Sequence, residues 1–204
     1  MEAKERILVK AHELFNRYGI RSVSMDDIAA QLGMSKKTLY QYYADKDELV
    51  NAVFTGVMDH NKEECSICQA KGENAIHEVF LSFDMLQGMI THMNPSILFD
   101  MQKYHPSAFK KFQDYRNHFL YGIIRQNIEN GIKEELYRPD VDVDILTRYR
   151  LYSIMLSFDA DVFPSNKTNL VYIEQQMLEH FLWGLATPKG QKLITKYKNQ
   201  RTKK

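Results

Sequence analysis

The chain has 204 residues, of which 44% are hydrophobic and 26% are charged, and its formal net charge is +1. This composition is typical of a globular protein with a buried core, and it excludes a disordered or strongly basic chain. No apolar run reaches about 18 residues and no apolar leader opens the chain, so we expect neither a membrane span nor secretion. Two cysteines are too few for a disulfide scaffold, which favours a reducing cytoplasm.

The first predicted element is an amphipathic helix that ends near Gly19. Apolar side chains recur at three- and four-residue spacing over residues 7–18. Ser24 then precedes two acids, Asp26 and Asp27, as expected for an N-cap followed by the first turn of a second helix.

Residues 27–49 predict two short helices joined by a tight turn. Apolar residues at helical spacing lead to Gly33, which can end the first of these helices in the left-handed conformation. Ser35 is a good N-cap for the second, in which Leu39 is the clear buried anchor. The other faces of that short helix are polar or aromatic, and a helix-turn-helix presents such a surface to the DNA major groove. The segment therefore predicts binding to double-stranded DNA.

The motifs in this region are specific enough to indicate a family. F-x-x-Y-G followed by S-M-D-D-I-A-x-x-L-G-M-S-K-K-T-L-Y-x-Y-Y-x-D-K-D-E-L resembles the N-terminal domain of TetR-family transcriptional regulators, over about residues 5–55. The resemblance implies an all-helical homodimer with a C-terminal effector pocket, usually a repressor that a small molecule releases. It also implies DNA contacts by residues at or beside the matching positions, namely Ser24, Ser35, Lys36, Lys37, Thr38, Tyr40, Tyr42 and Lys46. Tyr42 stands where many members carry histidine.

Several of these residues have a second interpretation. Tyr40 and Tyr43 both suit a small core, and Tyr43 favours it because it lies four residues after Leu39. Lys36 and Lys37 also suit a solvated helix surface. A cation at Lys46 opposes the dipole of the helix that begins there, which a DNA phosphate would offset.

Charge predicts a local DNA-binding patch, not a basic domain. Residues 1–50 contain eight basic and eight acidic side chains, so most acids must face away from DNA. Residues 189–204 carry seven bases and no acid. We expect this basic tail to be a solvated, partly frayed end, although it also suits an anionic surface.

The rest of the chain predicts further helices and no strands. A fourth helix should end before Gly72, and others should cover about 74–93, 96–104, 107–130, 143–162 and 170–186. We therefore predict an all-α protein of about nine helices. Its expected domains are a DNA-binding domain at 1–46, a ligand-binding and dimerisation domain at 47–188, and the basic tail at 189–204.

The last two predicted helices carry apolar stripes wider than packing on one neighbour requires. Two such helices and their symmetry mates would form a four-helix bundle, although burial within one chain is the alternative. The predicted interface residues are Tyr149, Phe158, Met177, Phe181, Trp183 and Leu185.

Aromatic and methionine side chains in the middle of the chain suit a deformable cavity for an apolar effector. They suit an ordinary core equally well. The candidate ligand-binding residues are Phe80, Phe83, Met89, Met93, Phe112, Phe119, Tyr152 and Met155.

The sequence offers little support for an enzyme. It contains no Gly-rich phosphate loop, no G-x-S-x-G and no H-E-x-x-H, and we predict no cofactor. His60, Cys65, Cys68 and His77 suggest a zinc or redox site, but ordinary thiols on a helix explain them better. Two alternatives to the ligand-released repressor stay open. One is a DNA-binding regulator controlled by a protein partner, and the other is a helical binding protein or enzyme with a vestigial helix-turn-helix.

Overall fold

The computed structural model describes residues 2–159, 161–164 and 169–201. Within these ranges the chain forms eleven α-helices, one π-helical turn and no β-strand, which confirms the all-α prediction. The helices are α1 (Ala3–Tyr18), α2 (Met25–Leu32), α3 (Lys36–Tyr42), α4 (Lys46–Lys71), α5 (Ala75–Ile90), α6 (Ile97–Tyr104), α7 (Pro106–Asp114), α8 (Tyr121–Lys133), α9 (Val143–Leu156), α10 (Leu170–Leu185) and α11 (Pro188–Arg201). None of the described helices has the length and apolar character required to cross a membrane.

The helix predicted over 107–130 is interrupted. It ends as α7 at Asp114, and a π-helical turn, Tyr115–Leu120, leads into α8. A π-helical turn changes the hydrogen-bond register within an otherwise continuous helix, and the spacing of apolar residues does not reveal it. The helix predicted over 143–162 is also shorter, because α9 ends at Leu156.

The basic tail at 189–204, which we expected to be solvated and partly frayed, is instead helical as far as Arg201, within α11. Ile194 and Tyr197, three residues apart, are buried and belong to an apolar cluster. The Tyr197 ring stacks on His77 with centroids 4.7 Å apart, and its hydroxyl accepts a hydrogen bond from Asn74 at 2.9 Å. Two apolar side chains on one face therefore fold a strongly basic segment. Residues 202–204 of the predicted tail lie outside the described residues.

The chain divides into two compact units. The first unit comprises Met1–Asn61 and His92–Tyr115, and the second comprises Lys62–Thr91 and Arg116–Lys204. This division differs from the domains expected from the sequence, because α6 and α7 belong with the N-terminal helices. In addition, α11 lies within the second unit, and α4 contributes to both.

One apolar cluster holds the first unit together. Phe15 of α1, Ile28 of α2 and Leu39 of α3 are each fully buried, as their spacing predicted, and Tyr43 joins them at 2% exposure. Helices α6 and α7 contribute further members to the same cluster, which are Ile97, Met101 and Ala108. The helix-turn-helix is thus packed on two helices that lie far along the sequence.

A second cluster forms the core of the second unit. It is built from α5, α8, α10 and α11, with Phe80, Ile128 and Leu182 among its buried members. Gly131 permits a close approach of Tyr137, because an added Cβ would lie 2.1 Å from the Tyr137 ring. This contact seats the fully buried Tyr137 against α8.

Candidate nucleic-acid interface

The helix-turn-helix is shaped by the caps that the sequence predicted. The Ser24 side chain accepts a hydrogen bond from the Asp27 amide at 3.1 Å, and Asp27 accepts one from the Ser24 amide at 2.8 Å. This capping box starts α2, and Gly33 ends it in the left-handed conformation with φ 64°. Ser35 then accepts a hydrogen bond from the Thr38 amide at 3.0 Å and starts α3.

Helix α3 is anchored through one side chain and exposed elsewhere. Leu39 is fully buried, whereas Tyr40 and Tyr42 are each 39% exposed. Tyr43, at the C-cap, is buried, so its core interpretation is confirmed. Lys36 and Lys37 are exposed and Thr38 is half-buried. The helix therefore presents ammonium, hydroxyl and phenol groups to solvent, which are donors suited to phosphates and base edges.

An ion pair joins the first turns of α2 and α3. The Lys36 ammonium lies 2.9 Å from Asp26 Oδ1 and 3.0 Å from Oδ2, and both side chains are about 60% exposed. The hydrogen bond and charge of Asp26 raise the pKa of Lys36. Lys36 also lies over the Tyr40 ring, 6.0 Å from its centroid. One predicted DNA contact is thus already engaged by an acid on the neighbouring helix.

Lys46 has a protein partner that sequence reasoning missed. Its ammonium donates to the Ile20 carbonyl at 2.6 Å, and the side chain is partly buried. Burial lowers the pKa of Lys46, while the nearby carboxylates of Asp100, Asp47 and Asp27 oppose that shift. These groups offset the helix dipole without a phosphate, so the dipole argument for a DNA contact does not hold. The carbonyl uses one ammonium proton, which leaves two for another acceptor.

Helices α6 and α7 are tied to the helix-turn-helix by polar contacts as well as apolar ones. The Asp100 carboxylate accepts a hydrogen bond from the Arg21 amide at 3.0 Å, just before α2. His105, between α6 and α7, donates to Asp47 in the first turn of α4 at 2.5 Å. In the sequence, the signal for such a contact was an acid, Asp100, placed between the apolar residues Ile97 and Met101.

The predicted dimer residues divide into two groups. Tyr149 and Trp183 are 50% and 41% exposed, and Phe158 and Met177 are half-buried. Phe181 and Leu185 instead belong to the core of the second unit. Helices α9 and α10 expose further large apolar side chains that were not predicted from the sequence as interface residues, namely Ile145, Tyr152, Leu156 and Tyr172.

The predicted ligand-binding residues are divided between the two units. Met93 and Phe112 pack against the cluster of the first unit, whereas Phe80 and Phe83 are buried in the second. Met89, Phe119 and Met155 are half-buried, and Tyr152 is 54% exposed beneath the Arg116 guanidinium. Arg201 lies over Phe83, 4.7 Å from its centroid.

The cysteines on α4 lack the features of a reactive pair. Both are buried, and burial raises the pKa of the Cys65 thiol to about 11. Burial also raises the pKa of Cys68. Neutral thiols are poor nucleophiles and poor metal ligands near pH 7. Among the described residues, no group of three or more His, Cys, Asp or Glu side chains is placed to hold a metal.

Comparison with known proteins agrees with this geometry. Residues 7–53 match the domain described as "Bacterial regulatory proteins, tetR family". An uncharacterized HTH-type transcriptional regulator of Bacillus subtilis, YvaF, is 35% identical over 106 residues, or 52% of this chain and 55% of that protein. The aligned region thus spans about half the length of that relative.

Solved structures extend the similarity to nearly the whole chain. The ketosteroid transcriptional regulator KstR2 of Mycobacterium tuberculosis aligns with a TM-score of 0.65 and 21% identity, covering 91% of this chain and 96% of KstR2. Residues 7–53 thus carry a domain of the TetR family of regulators. FadR of Thermus thermophilus, a TetR-family transcriptional repressor, was solved with lauroyl-CoA. It aligns with a TM-score of 0.58 and 18% identity, covering 88% of this chain and 93% of FadR. The comparisons therefore show a TetR-family domain of transcriptional regulators near the N-terminus and a shared fold over most of the remaining chain.

Proposed function

We propose that this protein is a cytoplasmic, homodimeric repressor that binds a near-palindromic operator and is released by a small, largely apolar effector. The observation that carries the proposal is the surface of α3, where one buried anchor leaves a row of hydrogen-bond donors exposed. A helix of this kind fits the major groove, where donors on its exposed face reach base edges.

In the proposed complex the polar residues of the helix-turn-helix have two roles. Thr38, Tyr40 and Tyr42 face the base edges, and Lys36, Lys37 and Lys46 contact phosphates. Ser24 and Ser35 act at the helix starts, where they hold α2 and α3 in the docking geometry. Because Lys46 keeps its Ile20 contact, its remaining ammonium protons serve a phosphate beside the α1–α2 connection.

The exposed apolar side chains of α9 and α10 support a homodimer. Tyr149, Tyr152, Tyr172 and Trp183 are each at least 41% exposed, although all four are large aromatic residues. Such residues concentrate at protein–protein interfaces, and a two-fold pair lets one surface serve both partners. A dimer also supplies two copies of the DNA-binding segment 24–46, called the reading head below, and a palindrome requires two such copies.

The proposed effector class is supported by the relatives. One solved relative is described as a ketosteroid transcriptional regulator, and another was solved with lauroyl-CoA. The steroid skeleton and the lauroyl chain are both largely apolar. The aromatic and methionine residues named from the sequence remain the candidate contacts. Effector and DNA must weaken each other by the same factor, and a coupling of about 1–3 kcal/mol gives roughly 5–150-fold release.

Alanine substitution in the reading head tests the proposed docking. The triple variant Thr38→Ala/Tyr40→Ala/Lys46→Ala should lose specific DNA binding while its helical circular dichroism and oligomeric state stay unchanged. Lys110→Ala, which removes an exposed cation from α7, is the control and should bind like the wild type. A triple variant that bound the operator with wild-type affinity would refute the proposed role of α3.

A further inference from the structure

Two adjacent acids open α2, and they are used differently. Asp27 closes the capping box with Ser24, and hydrogen bonds from the Ser24 hydroxyl and amide lower the pKa of Asp27. Asp26 makes no contribution to this cap, and its carboxylate points instead to Lys36 on α3. An acid in the first turn interacts favourably with the helix dipole, but the dipole does not explain why this acid pairs with Lys36 on α3.

The bridge lies on the surface that we propose meets DNA. Both side chains are about 60% exposed, so neither charge is buried and neither requires an ion pair to offset lost hydration. Exposed ion pairs contribute little to folding stability. The pair therefore matters mainly through the charge that this surface presents to DNA. Since residues 1–50 contain as many acids as bases, each cation that is neutralised matters for DNA binding.

A DNA phosphate and the Asp26 carboxylate compete for the same ammonium. To contact a phosphate, Lys36 must leave Asp26 or share its protons with two anions, and Asp26 then repels that phosphate. Non-specific DNA binding depends almost entirely on phosphate contacts, whereas specific binding also uses base contacts. Loss of one cation contact is therefore felt most strongly in non-specific complexes.

We propose that Asp26 competes with DNA phosphates for Lys36 and thereby lowers the affinity for non-operator DNA more than for the operator. The proposal rests on the proposed docking of α3. Asp26 is then a specificity-determining residue that touches neither base nor phosphate in the final complex. It acts by making the non-specific state weaker, which leaves more protein free to find its operator.

The experiment measures binding to a labelled duplex of random sequence, about 30 base pairs long, by fluorescence anisotropy between about 50 and 200 mM salt. Asp26→Asn should bind more tightly and with a steeper salt dependence. One additional phosphate contact makes the slope of log affinity against log salt steeper by about 0.9. This corresponds to an affinity about eightfold higher in 0.1 M salt for each reading head. The gain should be smaller on an operator selected from a random pool.

Two further variants isolate the pair. Glu129→Gln removes the acid of an exposed bridge on α8, whose nitrogen–oxygen distance is also 2.9 Å, and should leave binding unchanged. Asp26→Asn/Lys36→Gln should not show the tighter binding to random DNA that we expect for Asp26→Asn, because the cation that Asp26 pairs with is absent. Equal affinities and slopes for Asp26→Asn and Glu129→Gln would overturn the proposal.

Two other results would also decide against it. A gain that persists in the double variant would mean that Asp26 acts through another group. Weaker operator binding by Asp26→Asn, with unchanged binding to random DNA, would make Asp26 a direct reader of a base. Failure of the wild-type protein to bind any duplex would refute the proposed function itself, which distinguishes that failure from an error about Asp26 alone.

Discussion

The His105 imidazole donates a 2.5 Å hydrogen bond from Nδ1 to the Asp47 carboxylate, which joins the α6–α7 junction to the first turn of α4. These residues lie 58 positions apart in the sequence. A boundary placed after residue 46 would separate Asp47 from the reading head, although the structure groups both residues with it. The first unit therefore combines the reading head with two helices from the middle of the chain, α6 and α7.

Loss of the His105 imidazole should destabilise the first unit. His105 is buried and Asp47 is 64% exposed, so water can hydrate the carboxylate after substitution. We expect His105→Ala to lower the free energy of unfolding by about 1–2 kcal/mol, at the lower end for a charged hydrogen bond. Urea unfolding followed by circular dichroism measures it, with the exposed His92→Ala as the control. A change no larger than that of His92→Ala, about 0.5 kcal/mol or less, would mean that the contact is not stabilising.

Two buried tyrosines should respond in opposite ways to loss of the hydroxyl. The Tyr43 hydroxyl has no hydrogen-bond partner among the described residues, whereas Tyr137 donates to Asn127 at 3.2 Å. A buried polar group without a partner is unfavourable, so Tyr43→Phe should be neutral or stabilising by up to about 1–2 kcal/mol. Tyr137→Phe should cost about 1 kcal/mol. Thermal melts of both variants compare them directly, and a larger loss for Tyr43→Phe would contradict the structure.

The buried pair of Arg150 and Glu174 should give the second unit a distinctive pH dependence. Their nearest nitrogen and oxygen are 3.5 Å apart, and Glu174 is fully buried. Burial raises the pKa of Glu174 above its usual value of 4.5, while the charge of Arg150 opposes that shift. Its folded-state pKa is therefore higher than its unfolded-state pKa, and the folded protein binds the proton more tightly.

The corresponding stability is complete below pH 4.5 and is lost as the pH rises through the raised pKa. The free energy of unfolding of the wild type, relative to Glu174→Gln, should thus decrease from about pH 4 upward. Urea titrations of both proteins at several pH values measure this difference. An increase with pH would show that attraction to Arg150 outweighs burial.

The exposed aromatic surface of α9 and α10 gives a test of the dimer. Trp183→Glu should produce monomers by placing a charge in an apolar interface, without disturbing the core. Phe181→Glu is unsuitable because Phe181 is buried in the second unit and its substitution would unfold the protein. Sedimentation velocity reports the oligomeric state, and Lys133→Glu, at an exposed position on α8, serves as the control. Unchanged dimers of Trp183→Glu would place the interface elsewhere.

Local signals predicted the reading head well. Ser24, Gly33 and Ser35 fix helix starts and ends through contacts within four residues, so their roles follow from the residue types. The spacing of apolar residues likewise identified Leu39 as an anchor.

Features that depend on distant partners were not accessible in this way. The pairing of Lys46 with the Ile20 carbonyl and of Arg150 with Glu174 joins residues 26 and 24 positions apart, which periodicity does not address. Phe181 and Trp183 look alike in sequence, yet only the packing of α10 decides which of them is buried. The same reasoning explains why α11 was mistaken for a solvated tail.

The central claim is that two copies of this chain read a near-palindromic site through α3. In vitro selection from a random duplex pool, followed by sedimentation of the protein on the enriched duplex, tests it most directly. We predict an enriched near-palindrome whose half-site centres are about 34 Å apart or slightly more, with at least two copies of the protein bound. Failure to enrich any sequence, or enrichment of an asymmetric site that binds a single copy, would contradict the account.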